Sequence, residues 1–100
     1  MTFTWLNKQG VRSDTGFEFQ FTKRFAAEYR ESGRATELYV EGGAGGVLTI
    51  YEGSLAELLS AIDNPFARKA ERDRLIGNLR EALAFQGLTL DLAPGAVPNF

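Results

Sequence analysis

The chain contains no cysteine and no histidine. The first absence excludes disulfide bonds and thiolate metal sites, and the two together remove the usual ligands of zinc, copper and haem. They also exclude Ser-His-Asp and Cys-His nucleophile systems and any pH switch built on imidazole. We therefore expect no metal site and no cofactor, and we identify no catalytic residue.

Long hydrophobic runs and an excess of one charge are also missing. No apolar run approaches the ~20 residues that a membrane-spanning helix needs, and no basic-then-apolar leader opens the sequence. The net charge is −2, which gives little attraction to nucleic acid or to anionic lipid. These features predict a cytoplasmic protein that does not bind membranes, and they argue against nucleic acid as a partner.

The composition that remains is that of a folded domain. The 100 residues include 44% hydrophobic and 24% charged residues, close to the average for globular proteins. Eight phenylalanines, three tyrosines and one tryptophan can build a hydrophobic core that needs no disulfide bonds. We predict a single domain over residues 1–100, in which the stretch 93–100 is a loosely held tail because it is rich in proline and glycine.

The stretch 17–52 alternates apolar and polar residues and is interrupted by turn signals at 31–34 and 42–46. This pattern is typical of an antiparallel meander with one buried and one exposed face. A strand over 2–6 precedes it, and a final short strand over 88–92 follows the helices. The predicted sheet therefore has five or six strands and is mostly antiparallel. The polar stretch 7–16 is predicted to be turns, with Val11 as the only candidate for a short extended piece.

The turn at 31–34 also sets a register between the strands that flank it. Pairing Glu31 with Arg34 places these residues opposite each other: Ala27 and Leu38, Ala26 and Tyr39, and Glu28 and Glu37. A second pairing, of Glu41 with Val47, keeps Leu48 and Ile50 on the buried face. A slip by one residue would expose the whole apolar set, so the pattern resists it.

Two helices are predicted after the meander. Ser54 and Glu57 have the spacing of a capping box, which begins the first helix. Pro65 begins the second helix, which runs to about Gln86 and ends at Gly87. Both helices carry an apolar stripe and pack on one face of the sheet, which gives an α+β fold. The predicted core consists of Phe17, Phe19, Phe21, Phe25, Leu38, Val40, Leu48, Ile50, Leu58, Leu79 and Leu83.

The opposite face of the sheet carries the candidate contact surface. Tyr39 and Tyr51 share this face and form an aromatic patch with a charged rim, which is typical of protein-binding surfaces. The glycine run at 42–46 is followed by a strand and not by a helix, so it is a hairpin loop and not a phosphate-binding loop. The candidate partner-binding residues are Tyr39, Tyr51, Val47, Glu28, Arg30, Gly43 and Gly45. The competing interpretation is that the first strand or the tail packs over this patch.

Two other functions stay open from the sequence. Glu28, Glu37 and Arg30 would lie together on the exposed face, which allows an enzyme or small-ligand domain that uses carboxylates and arginines alone. A weaker alternative is binding of phosphate or nucleic acid by cations at the start of the second helix, where they oppose the helix dipole. These cations are Arg68, Lys69, Arg72 and Arg74. The competing interpretation, an exposed and salt-bridged helix face, is favoured because residues 69 and 73 form an i,i+4 pair of opposite charge.

Two stretches also carry a resemblance to a known class of proteins. They are WLNKQGVRSDTGFEFQFTKRFAAEYRESGR at 5–34 and REALAFQGLTLDL at 80–92. With the glycine-rich hairpin between them, the pattern resembles small bacterial immunity-type proteins of polymorphic toxin systems. The resemblance implies a compact α+β domain that blocks a toxin stoichiometrically. We therefore predict a non-enzymatic protein-binding module with a toxin-like partner, and an unpaired edge strand would also allow a homodimer.

Overall fold

A computed structural model describes residues 1–95 and places seven strands in one sheet. The strands are β1 (Phe3–Asn7), β2 (Gly10–Ser13), β3 (Phe17–Lys23), β4 (Ala26–Glu31), β5 (Arg34–Gly42), β6 (Val47–Tyr51) and β7 (Thr89–Ala93). They lie side by side in chain order, and every neighbouring pair is antiparallel except β6 and β7. The α+β fold with a mostly antiparallel sheet is thus confirmed.

Two helices connect β6 to β7, and this long connection allows those strands to be parallel. Helix α1 (Ala56–Leu59) is a single turn after a 3-10 segment at Glu52–Leu55, and α2 (Pro65–Phe85) is the main helix. Helix α2 buries an apolar stripe that includes Leu79 and Leu83 of the predicted core, together with Leu75, Ile76 and Ala82. No helix in residues 1–95 combines the length and hydrophobicity that crossing a membrane requires.

The ends of α2 follow directly from the local sequence. Asn64 precedes Pro65, and the Asn64 Oδ1 accepts hydrogen bonds from the backbone amides of Phe66 and Ala67 at 2.8 and 3.1 Å, which caps the helix. Gly87 has a φ of +82°, a conformation that glycine adopts easily and that ends the helix. The sequence predicted both ends to within one residue.

One strand was missed in the sequence. Strand β2 has four residues, and Val11 is its only large apolar side chain, so no alternation marks it. Val11 is nevertheless fully buried and pairs with Trp5 on one side and Phe19 on the other. The sheet therefore has one strand more than the upper limit of the predicted five or six.

The predicted pairing of β4 with β5 is confirmed from Ala26 to Glu31, with Glu31 opposite Arg34 and Ala27 opposite Leu38. The pairing of β5 with β6 is shifted by two residues, because Glu41 lies opposite Thr49 and not opposite Val47. The strands pair further into the glycine run than expected. An even shift keeps each side chain on its face, and the predicted burial therefore survives.

Two predicted local features are wrong. Ser54 does not cap a helix, because its Oγ accepts a hydrogen bond from the backbone amide of Tyr39 at 3.1 Å, and Leu55 precedes α1 with no side-chain cap. Phe25 is not a core residue, since it is 45% exposed. The register shifts between Phe21 and Lys23, and the ring of Phe25 stacks on Tyr39, away from α2. Phe21 and Leu58 are only partly buried, and the other predicted core residues are buried.

A polar network joins α2 to β4 on the helix side of the sheet. Buried Asn78 donates through Nδ2 to the Tyr29 hydroxyl at 2.9 Å, and this hydroxyl donates to Glu31 at 2.9 Å. Arg74 binds Glu31 through both terminal nitrogens at 2.9 and 2.8 Å. Burial raises the pKa of Tyr29 well above its ordinary value. The network fixes the helix over one face of the sheet.

The C-terminal stretch falls partly outside the described residues. Ala93 is the last residue of β7, and the Gly53 amide donates to the Gly95 carbonyl at 2.9 Å. The remainder of the predicted tail, residues 96–100, lies outside the part of the chain that the structure describes.

Candidate functional site

The candidate site lies on the face of the sheet opposite α2, which we call the open face. Its side chains come from alternate positions of β2 to β7, since successive residues of a strand point to opposite faces. All of them are half-buried or exposed except Ala26, which is 4% exposed beneath the neighbouring rings. Neither the first strand nor residues 93–95 bury this face.

Three aromatic rings form a continuous row on the open face. The rings of Phe25 and Tyr39 stack with centroids 6.1 Å apart, and those of Tyr39 and Tyr51 are 5.5 Å apart at a tilt of 59°. We call Phe25, Tyr39 and Tyr51 the aromatic row. The guanidinium carbon of Arg24 lies 5.1 Å from the Phe25 centroid, within cation–π range. The sequence predicted the two tyrosines together, and Phe25 is the member it missed.

Glu41 fixes both tyrosines of the row. The Tyr39 hydroxyl donates to Oε1 of Glu41 at 2.9 Å, and the Tyr51 hydroxyl donates to Oε2 at 3.4 Å. Loss of hydration among the rings raises the pKa of Tyr39 to about 12, and the bond to the Glu41 carboxylate adds to this shift. The same two causes raise the pKa of Tyr51. One carboxylate therefore holds two rings in fixed orientations.

Replacing Glu41 with glutamine should lower the pKa of Tyr39 from about 12 without returning it to 10, because the charge is lost while the crowding by rings remains. Since the folded pKa lies above the unfolded one, Tyr39 contributes to stability below pH 10, and this contribution is lost as the pH rises through about 12. In the Glu41→Gln variant the loss should begin at the same pH, because the unfolded pKa is unchanged, but it should be smaller and should end at a lower pH. Phenolate absorbance and urea unfolding, both followed against pH, test this, and identical Tyr39 titrations in the two proteins would contradict it.

Two depressions lie on either side of Phe25 and share the side chains of Phe25, Glu37 and Tyr39. One has a volume of about 300 Å³ and is completed by Gly53, Ser54 and Glu57. The other has a volume of about 370 Å³ and is completed by Lys23, Arg24 and Ala26. Depressions beside an exposed ring can receive side chains of a partner. The residues that contribute most to binding energy usually occupy such pockets.

The other predicted contact residues do not all join the row. Val47, Gly43 and Gly45 lie at the far end of the β5–β6 hairpin, where the Gly43 amide donates to the Val47 carbonyl at 2.8 Å. This end is four residues along β5 from Tyr39, or ~13 Å. Val47 is half-buried, and the two glycines are exposed. The loop is therefore a separate feature of the surface.

Glu28 and Glu37 lie opposite each other as predicted, but each carboxylate has its own cation. Arg30 Nη2 is 3.0 Å from Glu28, and Lys23 Nζ is 3.8 Å from Glu37. Both pairs are open to solvent, where such pairs stabilise a protein by at most ~1 kcal/mol. Among residues 1–95, no three acidic side chains converge in a way that could hold a metal ion. This arrangement favours a solvated face over a catalytic pair.

The cations at the start of α2 are engaged within the protein. The partners are the Ile62 carbonyl for Arg68, Asp73 for Lys69, Glu52 for Arg72, and Glu31 with Glu71 for Arg74. Hydrogen bonds to Glu31 and Glu71 raise the pKa of Arg74. A phosphate group would have to displace these carboxylates, so the alternative of phosphate or nucleic-acid binding gains no support here.

Comparison of the chain with protein-family models, with curated proteins and with solved structures found no match. The function is therefore inferred from the geometry and charges of the open face and from the pattern of the sequence.

Proposed function

We propose that this protein is a cytoplasmic, non-enzymatic protein-binding module that contacts its partner through the open face. The observation that carries this proposal is the aromatic row, in which Glu41 holds two tyrosines beside an exposed phenylalanine. Aromatic side chains dominate the energetics of protein interfaces because each covers a large area with few rotatable bonds. Rings that are already oriented lose less conformational entropy when a partner binds.

The charges of the open face indicate the kind of partner. Its acidic residues are Glu18, Glu28, Glu37, Glu41 and Asp91, and its basic residues are Arg12, Lys23, Arg24 and Arg30. Arg12 and Arg30 are each paired with a carboxylate of the same face, at 2.9 and 3.0 Å. The balance is acidic, so a complementary partner is basic where it makes contact.

Within this proposal, the specific role is that of an immunity-type inhibitor that covers a basic site on a toxin. An inhibitor of this kind works by occupying a surface and needs no catalytic group of its own. A row of fixed rings with an acidic rim would seal such a site, because the rings exclude water around the charged contacts. The resemblance noted in the sequence points in the same direction.

The test is capture from the native cell with three immobilised proteins in parallel: the wild type, the Tyr39→Ala/Tyr51→Ala double variant and a Phe66→Ala control. Phe66 lies on α2 and is 86% exposed, so its loss removes a ring from a different surface. We expect mass spectrometry to identify a protein that the wild type and the control retain and the double variant loses. Co-expression with this protein should relieve any toxicity of the partner. Identical sets of captured proteins from all three would contradict the proposal.

A further inference from the structure

Within residues 1–95, strand β1 is an edge strand of the sheet and has an unusual composition for that position. It is first in the strand order, and none of its residues, Phe3–Asn7, carries a charge or is proline. Proteins commonly protect such edges with lysine, proline or a covering segment, because unpaired backbone groups invite another strand. The other edge strand, β7, carries Asp91 and contacts α2. Of the two edges, β1 is the one suited to pair with another chain.

An exposed aromatic cluster lies along this edge, on the helix side of the sheet. The ring of Phe85, near the end of α2, is 5.5 Å from that of Phe3 and 5.3 Å from that of Trp5. Trp5 is 53% exposed and Phe85 is 41% exposed. We call Phe3, Trp5 and Phe85 the edge cluster. It is separate from the aromatic row, which belongs to β5, β6 and the turn before β4 on the other face.

The backbone of β1 presents hydrogen-bonding groups in a definite pattern. The Asp14 amide donates to the Thr2 carbonyl at 2.9 Å, and the register continues with Thr4 opposite Arg12. In an antiparallel pair, residues alternate between those that bond the neighbouring strand and those that point away from it. Thr2 and Thr4 therefore face β2, while the amide and carbonyl groups of Phe3 and Trp5 point to the open edge.

We propose that two copies of this chain form a dimer by antiparallel pairing of β1 with β1, around a twofold axis that passes beside Thr4. In this register Phe3 lies opposite Trp5 of the second copy, and the two residues exchange backbone hydrogen bonds. The twofold axis generates a second, identical exchange between Trp5 and Phe3 of the second copy. The outward amide and carbonyl groups of Phe3 and Trp5 are then all hydrogen-bonded in both strands. Phe3 and Trp5 become a cross-strand aromatic pair, and Thr4 meets its own counterpart, both favourable combinations.

The occupant is a second copy because the edge is complementary to itself. An antiparallel pairing brings no like charges together, since β1 has none, and it merges the two edge clusters into one. A twofold contact between two β1 strands uses both edges and ends at a dimer. Pairing of β1 with β7 of another copy would leave a free edge at each end, so the assembly would keep growing. Covering the exposed parts of Trp5, Leu6 and Phe85 with the strand edge buries roughly 1,000 Å² in both copies together, the lower limit for a specific interface. The dimer is accordingly weak and forms at high protein concentration.

The test uses single-cysteine variants, which are informative because the chain has no cysteine of its own. In the proposed register Thr4 lies opposite Thr4 with ~4.5 Å between Cα atoms, within the range that a disulfide spans. Thr4→Cys should therefore give a disulfide-linked dimer on mild oxidation. Thr2→Cys is the matched control, because its two copies are four residues apart along the strands, or ~13 Å, and should stay unlinked. Equal cross-linking of the two variants would overturn the register.

Sedimentation equilibrium of the wild-type chain tests the association itself. We expect a monomer–dimer equilibrium, with a dissociation constant that Trp5→Lys raises at least ~10-fold, since it places a charge on the edge of both copies. Tyr39→Ala/Tyr51→Ala should leave the constant unchanged, which separates this proposal from the function of the open face. A wild type that stays monomeric at every concentration, or one that forms growing oligomers, would overturn the proposal.

Discussion

Replacing Phe19 with alanine should remove a large part of the free energy of unfolding. Phe19 is fully buried in the centre of the sheet, between Val11 and Tyr29 on the neighbouring strands, and its ring meets that of Phe21 edge-on at 5.3 Å. Truncating an enclosed phenylalanine costs ~3–5 kcal/mol, because apolar contact is lost and a cavity remains. Domains of this size are stable by only ~5–15 kcal/mol, so urea unfolding followed by circular dichroism should show a much lower midpoint.

The matched control is again Phe66→Ala, which removes the same ring from an 86% exposed position. Its midpoint should move by less than the equivalent of ~0.5 kcal/mol. Should Phe19→Ala cost less than ~1 kcal/mol, the ring would not be enclosed as its burial indicates, and the packing of the core around β3 would need revision.

The Tyr39→Ala/Tyr51→Ala variant should weaken partner binding by a factor of about 100 or more. Central aromatic contacts at interfaces commonly contribute ~2 kcal/mol or more each, and 1.4 kcal/mol corresponds to a factor of ten. Both rings are only half-buried in the free protein, so the domain should stay folded while it loses this surface. Titration calorimetry with the captured partner gives the affinity, and circular dichroism gives the folded state.

A second variant separates the rings from their hydroxyl groups. Tyr39→Phe/Tyr51→Phe keeps both rings and removes the two hydrogen bonds to Glu41. Binding should weaken less than in the alanine variant, because the contact area is retained and only the orientation of the rings is relaxed. Equal losses in the two double variants would mean that the hydroxyl groups, and not the rings, make the contact.

Much of the fold was accessible from the sequence because burial imposes a period of two on strands and a repeat near four on helices. The hairpin at 31–34 shows this well, since its register places Leu38 opposite Ala27 and both are buried as predicted. The ends of α2 were equally clear, because Asn64, Pro65 and Gly87 act through local backbone geometry. In these segments, local preference and tertiary packing agree.

The failures occur where tertiary contacts override the local pattern. Ser54 has the spacing of a helix cap, yet its oxygen satisfies a backbone amide of β5, 15 residues earlier in the chain. Phe25 follows the alternation of β4, yet the register shift before it carries its ring to the open face. Val11 lies in a strand with no second large apolar residue. None of these outcomes has a signal within a few residues of the position concerned.

The candidate site was partly predictable for the same reasons. The alternation of side chains along a strand placed Tyr39 and Tyr51 on one face. The same alternation placed Glu41, two residues beyond Tyr39, on that face. The contribution of Phe25 and the depressions around it depends on the turn before β4 and on Ser54 and Glu57, which only the folded chain brings together. The distance of Gly43 and Gly45 from the tyrosines follows from the length of β5 once the register is known.

The proposed function requires that the open face is the surface that contacts the partner, and hydroxyl-radical footprinting of the complex measures this directly. Oxidation of Phe25, Tyr39 and Tyr51 should fall when the captured partner is bound, while that of Phe66 stays unchanged. Protection of Phe66 on α2, with the aromatic row oxidised as in the free protein, would show that the partner binds the opposite side of the sheet and would contradict the proposed function.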